Sequence, residues 1–165
     1  MQVSVEGKMV EVSDGASCAD ALKEGLSGKR FKAAIACKVG DTLLDLTAPV
    51  PTTTETLTLT PVTADTPEGL GLIRHSAAHV MAAAVKKLFP AAKVTIGPSI
   101  ENGFYYDFDV ETPFSPDQFE AIEAEMQRII DAAVPFERMD ISKADAVKLF
   151  SDMGEPYKVE LIEGL

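Results

Sequence analysis

The chain has two histidines, His75 and His79, and both lie in the stretch RHSAAHVMAAA that runs from Arg74 to Ala84. Imidazole titrates near neutral pH, so such a pair suits water activation, proton relay or metal ligation. Four residues apart on a helix, the two Cβ atoms lie about 6 Å from each other on one face. Histidines so placed can share a zinc ion. The glutamate of the HExxH zinc-protease pattern is absent, because Ser76 stands in its place. No cysteine is nearby, so a metal would need Asp or Glu to complete its shell. Four readings stay open on spacing alone: exposed helical histidines without a role, a metal site, a non-metal hydrolytic or binding pocket, and burial against another element.

The other chemically capable residues carry weaker signals. Lys158, taken alone, reads as an exposed lysine. Tyr105 and Tyr106 read as a strand pair with one ring inward and one outward, with Tyr106 a candidate pocket wall. Asp107 and Asp109 share the strand face opposite Phe108, as a carboxylate pair or as solvated charges. Cys18 and Cys37 match no CxxC or zinc-ribbon spacing and read as reduced, buried or half-buried thiols.

These residues need elements to hold them. Thr66 and Pro67 open a long helix as N-cap and first helical residue, and Pro90 ends it. At about 100° per residue, Leu70, Ile73, Ala77, Met81, Ala84 and Leu88 form one stripe, which is expected to face the core. The histidines fall on the other side, beside Gly71, Ala78, Ala82, Ala83 and Lys86. Small residues there leave a hollow or allow another element close. KVTIGPSI and FYYDFDV flank Asn102-Gly103, a hairpin signal, with Phe104, Tyr106, Phe108 and Val110 on one strand face. Ser115 to Gln118 is a capping box that opens a helix with Phe119, Ile122, Met126, Ile129 and Ala133 inward. PFERMDI reads as a strand. Ser142 and Asp145 cap a further helix that ends near Gly154. The order α-β-β-α-β-α predicts a layered α+β domain with an antiparallel sheet.

Upstream, QVSV and MVEV flank Glu6-Gly7-Lys8 as a hairpin. Ser17 with Asp20 caps a helix that stops at Gly25. FKAAIACKV, TLLDL and TLTLTPV read as strands. The order β-β-α-β-β-β resembles a β-grasp, ubiquitin-like module. The seam TPVTADTPEG is rich in Pro, Thr and Gly and divides the chain into residues 1–62 and 63–165. Net charge is -2 on the first part and -9 on the second, adding to -11. That acidity opposes unaided nucleic-acid binding, which draws on Lys and Arg. No apolar run approaches the ~18 residues of a membrane span, and the opening residues carry no secretory pattern. No membrane partner is expected, and the expected compartment is the cytoplasm.

The long string IRHSAAHVMAAAVKKLFPAAKVTIGPSIENGFYYDFD resembles the start of the editing domain of bacterial threonyl-tRNA synthetases. The preceding module resembles their TGS domain, and EPYKVELI at residues 155–162 resembles a further editing segment. The resemblance spans essentially the whole chain in the family's order. It implies a parent that charges tRNA(Thr) with threonine, using ATP, and hydrolyses mischarged seryl-tRNA(Thr). Serine lacks only one methyl of threonine, and one methyl is worth only ~1–3 kcal/mol of discrimination. A second site must therefore correct the error. By the same resemblance His75, His79 and Lys158 are the editing-site residues of this chain. The histidines and the lysine would position the ester and a water near the terminal ribose.

The family's editing site also uses an Asp, a Cys and another His beyond the matched region, which leaves the site here half built. The resemblance places Mg²⁺ with ATP, and a Zn²⁺, in a catalytic core outside this chain, with no cofactor in the chain itself. It implies a homodimeric parent, tRNA(Thr) as partner, and weak tRNA binding by the acidic piece alone. Two other classes are a non-catalytic adaptor built on a TGS-like module and a metal-dependent hydrolase that uses the HxxxH pair.

Overall fold

The computed structural model describes all residues from Met1 to Leu165. It forms two compact units, Met1–Ile73 and Arg74–Leu165.

In the first unit, β1 (Gln2–Val5) and β2 (Lys8–Glu11) form an antiparallel hairpin. Glu6 and Gly7 turn it with φ of 50° and 84°, the doubly left-handed geometry of a tight two-residue turn. Helix α1 (Cys18–Gly25) starts on a complete capping box between Ser17 and Asp20. A short helix α2 (Gly28–Ala33) follows, then β3 (Ala34–Val39), β4 (Thr42–Leu44) and β5 (Leu57–Thr63). The sheet order is β2-β1-β5-β3-β4, with β1 parallel to β5 and the other pairs antiparallel. This mixed sheet is consistent with a β-grasp. Alternation along β1 and β5 puts Val3, Val5 and Leu59 inside, against Ala21 and Leu22 of α1. The expected strand FKAAIACKV begins only at Ala34. Its first three residues complete α2, and Phe31 packs against the core from there.

Helix α3 (Pro67–Leu88) is capped by Thr66, whose Oγ1 accepts from the Gly69 N–H at 3.0 Å. The division between units falls inside this helix. Its first turns are tied to the first unit, where Lys38 pairs with Glu68 at 3.1 Å.

The stripe expected to face the core does so only in part. Ala84 is fully buried, but Leu70, Ile73 and Leu88 are exposed. The face that is buried runs through Ala78, Ala82 and Val85, next to the histidines. Periodicity locates an apolar stripe. It does not say which of two small-residue faces finds a partner.

The second unit's core joins Ala84, Val85, Ala92 and Ile122, with Met81, Phe108, Phe114 and Met126 packed on it. The expected hairpin around Asn102-Gly103 is present but broken. Its paired pieces are β6 (Lys93–Val94) with β9 (Phe108–Asp109), and β7 (Ser99–Ile100) with β8 (Gly103–Phe104). Two backbone bonds extend the first ribbon, from the Thr95 N–H to the Asp107 carbonyl at 3.2 Å and from the Asp107 N–H to the Ile96 carbonyl at 3.0 Å. Between the ribbons lie Gly97 and Pro98, the second of which has no N–H to donate.

A single 3-10 turn (Pro116–Gln118) leads into α4 (Phe119–Asp131). Ser115 and Gln118 do form the capping box. Ile122 is buried as expected, while Phe119 and Ala133 are exposed. PFERMDI is not a strand. Residues 134–141 run irregularly with Val134, Phe136 and Met139 exposed, because no neighbouring strand offers hydrogen bonds. Helices α5 (Lys143–Asp152) and α6 (Pro156–Glu163) close the unit. No helix is long and apolar enough to cross a membrane.

Candidate functional site

Helix α3 brings His75 and His79 together as their spacing requires. Their Nε2 atoms are 3.1 Å apart, so one ring donates and the other accepts. The rings meet edge-on at 90°, with centroids 4.5 Å apart. Both histidines are exposed, although Ala78 and Ala82 beside them are buried. Partial burial holds His79 below its ordinary value of 6.5, with further lowering from the charges of His75 and Lys158. That lowering favours the neutral form of His79, and a neutral imidazole is able to accept a proton.

Lys158 sits on the first turn of α6, half-buried. Its Nζ donates to the Thr95 carbonyl at 2.7 Å, which ties α6 to the end of the first ribbon. The Lys158 charge acts on His79 although the two residues come from elements far apart in sequence. Tyr106 is held by its neighbours. Its ring stacks on Phe108 at 5.0 Å and lies against Gly97. It lines an apolar cavity of about 440 Å³ whose walls include neither histidine nor Lys158. Tyr105 points outward, so the one-in, one-out reading of the tyrosines is the arrangement found.

Asp107 and Asp109 are both exposed and do not act as a pair. Asp109 accepts from the Tyr157 hydroxyl at 2.8 Å, which pushes the Tyr157 phenol up. Asp107 lines a second cavity of about 760 Å³ together with Thr95, Tyr157 and Glu160. That cavity opens beside the carbonyl that holds Lys158.

Two features escape the motif reading. Glu155 is buried and meets Lys86 of α3 at 2.7 Å. Glu125 of α4 is buried between Lys87 and Arg128, which hold its carboxyl below the usual carboxylate range. Two lysines at the end of α3 facing lone glutamates elsewhere were the available signal. No group of three or more His, Cys, Asp and Glu side chains converges as a metal cage. The two histidine nitrogens face each other and find no third ligand of that kind.

No family model matches the chain. Individual relatives do. Over all 165 residues the chain is 65% identical to a threonine–tRNA ligase from Nitratidesulfovibrio vulgaris strain DP4 and 66% identical to one from Oleidesulfovibrio alaskensis. A third, from Lawsonia intracellularis, is 53% identical over 143 residues, or 87% of the chain. The chain spans about a quarter of the length of these relatives, 25% of the first two and 22% of the third. It matches their N-terminal region.

Proposed function

We propose that this chain, matching the N-terminal region of threonine–tRNA ligases over its whole length, serves such an enzyme as a TGS module followed by the first part of an editing domain. Residues 1–62 are the TGS module and residues 63–165 the editing part. The whole enzyme attaches threonine to tRNA(Thr) with ATP, and the part seen here contributes to hydrolysis of mischarged seryl-tRNA(Thr). The observation that carries this reading is the pair of facing Nε2 atoms at 3.1 Å with the Lys158 charge close enough to lower His79.

In this reading the reaction is attack of water on the seryl ester. The histidine pair accepts the water's proton and passes it to the ribose oxygen that leaves as the ester bond breaks. Lys158 offsets the negative charge that develops on the carbonyl oxygen. Tyr106 is assigned a place on the substrate side of the fold through the aromatic wall it shares with Phe108. Zinc, and magnesium with ATP, are assigned to the rest of the enzyme, as the resemblance to the synthetases implies. The relatives reported above are threonine–tRNA ligases, which favours this reading over the adaptor and the metal-dependent hydrolase. The enzyme is assigned to the cytoplasm and to a homodimer.

The test is His75→Ala in the full-length ligase. Seryl-tRNA(Thr) should accumulate while threonine charging survives. Undiminished deacylation would remove the histidine pair from the mechanism.

A further inference from the structure

Glu155 is 5% exposed, yet it carries a carboxylate. Its Oε1 meets Lys86 Nζ of α3 at 2.7 Å, and its Oε2 accepts from the Val94 N–H of β6 at 3.4 Å. Its own carbonyl receives the N–H groups of Lys158 and Val159 at 3.1 and 3.2 Å, which begins α6. Lys86 Nζ donates in addition to the Ala92 carbonyl at 2.9 Å, so it is itself held in place. One side chain thus joins α3, β6 and α6 at a point one turn before Lys158.

A buried ion pair of this kind adds little net stability over apolar packing of the same volume, because desolvation offsets the attraction. What it supplies is direction. Two acceptor oxygens face two donors that come from different elements. A glutamine of the same size would turn an NH2 corner toward either Lys86 or the Val94 N–H, and one contact would be lost.

We propose that Glu155 is a positioning residue that sets Lys158 against the histidine pair by clamping the start of α6 to α3 and β6. The proposal rests on the editing role given to these three residues. Its geometric content is that Lys158 stays beside His79 only while Glu155 holds both partners.

The chain has only two histidines, so imidazole proton resonances of the 165-residue protein report them individually, with His75→Gln making the assignment. The groups that act on His79 are His75 on its own helix and Lys158 on α6. Lys158→Met should raise the His79 midpoint toward its ordinary value. Glu155→Gln should raise it in the same sense, and the double variant should go no further than Lys158→Met alone. If Glu155→Gln unfolds the second unit, Lys86→Met, which removes the α3 end of the clamp, should give the same rise. In the full-length ligase, Glu155→Gln should lower kcat for seryl-tRNA(Thr) hydrolysis about 10- to 100-fold with KM nearly unchanged, as for a misplaced catalytic group.

A His79 midpoint that moves with Lys158→Met and stays fixed in Glu155→Gln and Lys86→Met overturns the clamp and leaves the editing reading intact. A midpoint that moves in none of them overturns it as well, since Lys158 is then not beside His79. Midpoints that move together while hydrolysis is untouched in every variant would establish the clamp and remove the editing role.

Discussion

At the scale of single residues, position in the fold separates groups that the sequence presents as equals. Partial burial, and then the charges of His75 and Lys158, depress the titration of His79. The unfolded chain therefore takes up a proton first when the pH falls through about 6.5. Stability present above that value is lost as the pH drops toward the lower folded midpoint, and the loss ends below it. Urea midpoints measured at about pH 7.5, 6.5 and 5.5 should show this acid slope, and His79→Gln should make it shallower. The two cysteines lie at the opposite extreme. Burial, and then the neighbouring Cys18, pushes the Cys37 thiol up to about 12. Neither thiol should react with a disulfide reagent near pH 8 while the fold is intact, and both should react at once in urea.

At the scale of elements, close contacts decide what each piece tolerates. A Cβ on Gly97 would fall 2.0 Å from the Tyr106 ring. The break between the two ribbons is where that ring lies down, so Gly97→Ala should cost the second unit about 1–3 kcal/mol, as overpacking does. Chemical denaturation followed by tyrosine fluorescence would read it. Rescue by the added substitution Tyr106→Ala would assign the loss to this contact. At α1 the Ser17 side chain accepts from the Asp20 N–H at 3.1 Å, and Asp20 closes the box from the other side. Ser17→Ala should lower the stability of the first unit by about 1 kcal/mol.

At the scale of the whole molecule, the two units differ in how much core each one has. The first buries eleven residues in one cluster, and the second buries four. Around the second unit Val134, Phe136, Met139 and Ile130 remain exposed. The smaller core should unfold first. Calorimetry of the 165-residue chain should show two transitions, with the imidazole resonances of His75 and His79 collapsing in the earlier one. A single transition carrying both sets of signals would mean that the units unfold cooperatively.

Much of this architecture is legible in the sequence because its signals are local. Ser17 with Asp20, Ser115 with Gln118 and Ser142 with Asp145 name their own helix starts. Glu6-Gly7 names its turn, and HxxxH places two imidazoles on one face by helical geometry alone. The similarity to threonine–tRNA ligases is carried by the linear string as well. What the tertiary structure alone decided is everything that depends on a partner distant along the chain. PFERMDI has strand composition and no strand beside it. The stripe from Leu70 to Leu88 has core composition and is covered only in part. Tyr106 found its neighbours in Gly97 and Phe108. Lys158 is held by the Thr95 carbonyl, and Glu155 by Lys86 and the Val94 N–H, partners far away along the chain. Hydrogen bonds within a turn are set by neighbouring residues, whereas burial and ion pairing across elements need both sides to arrive, and no stretch of sequence holds both.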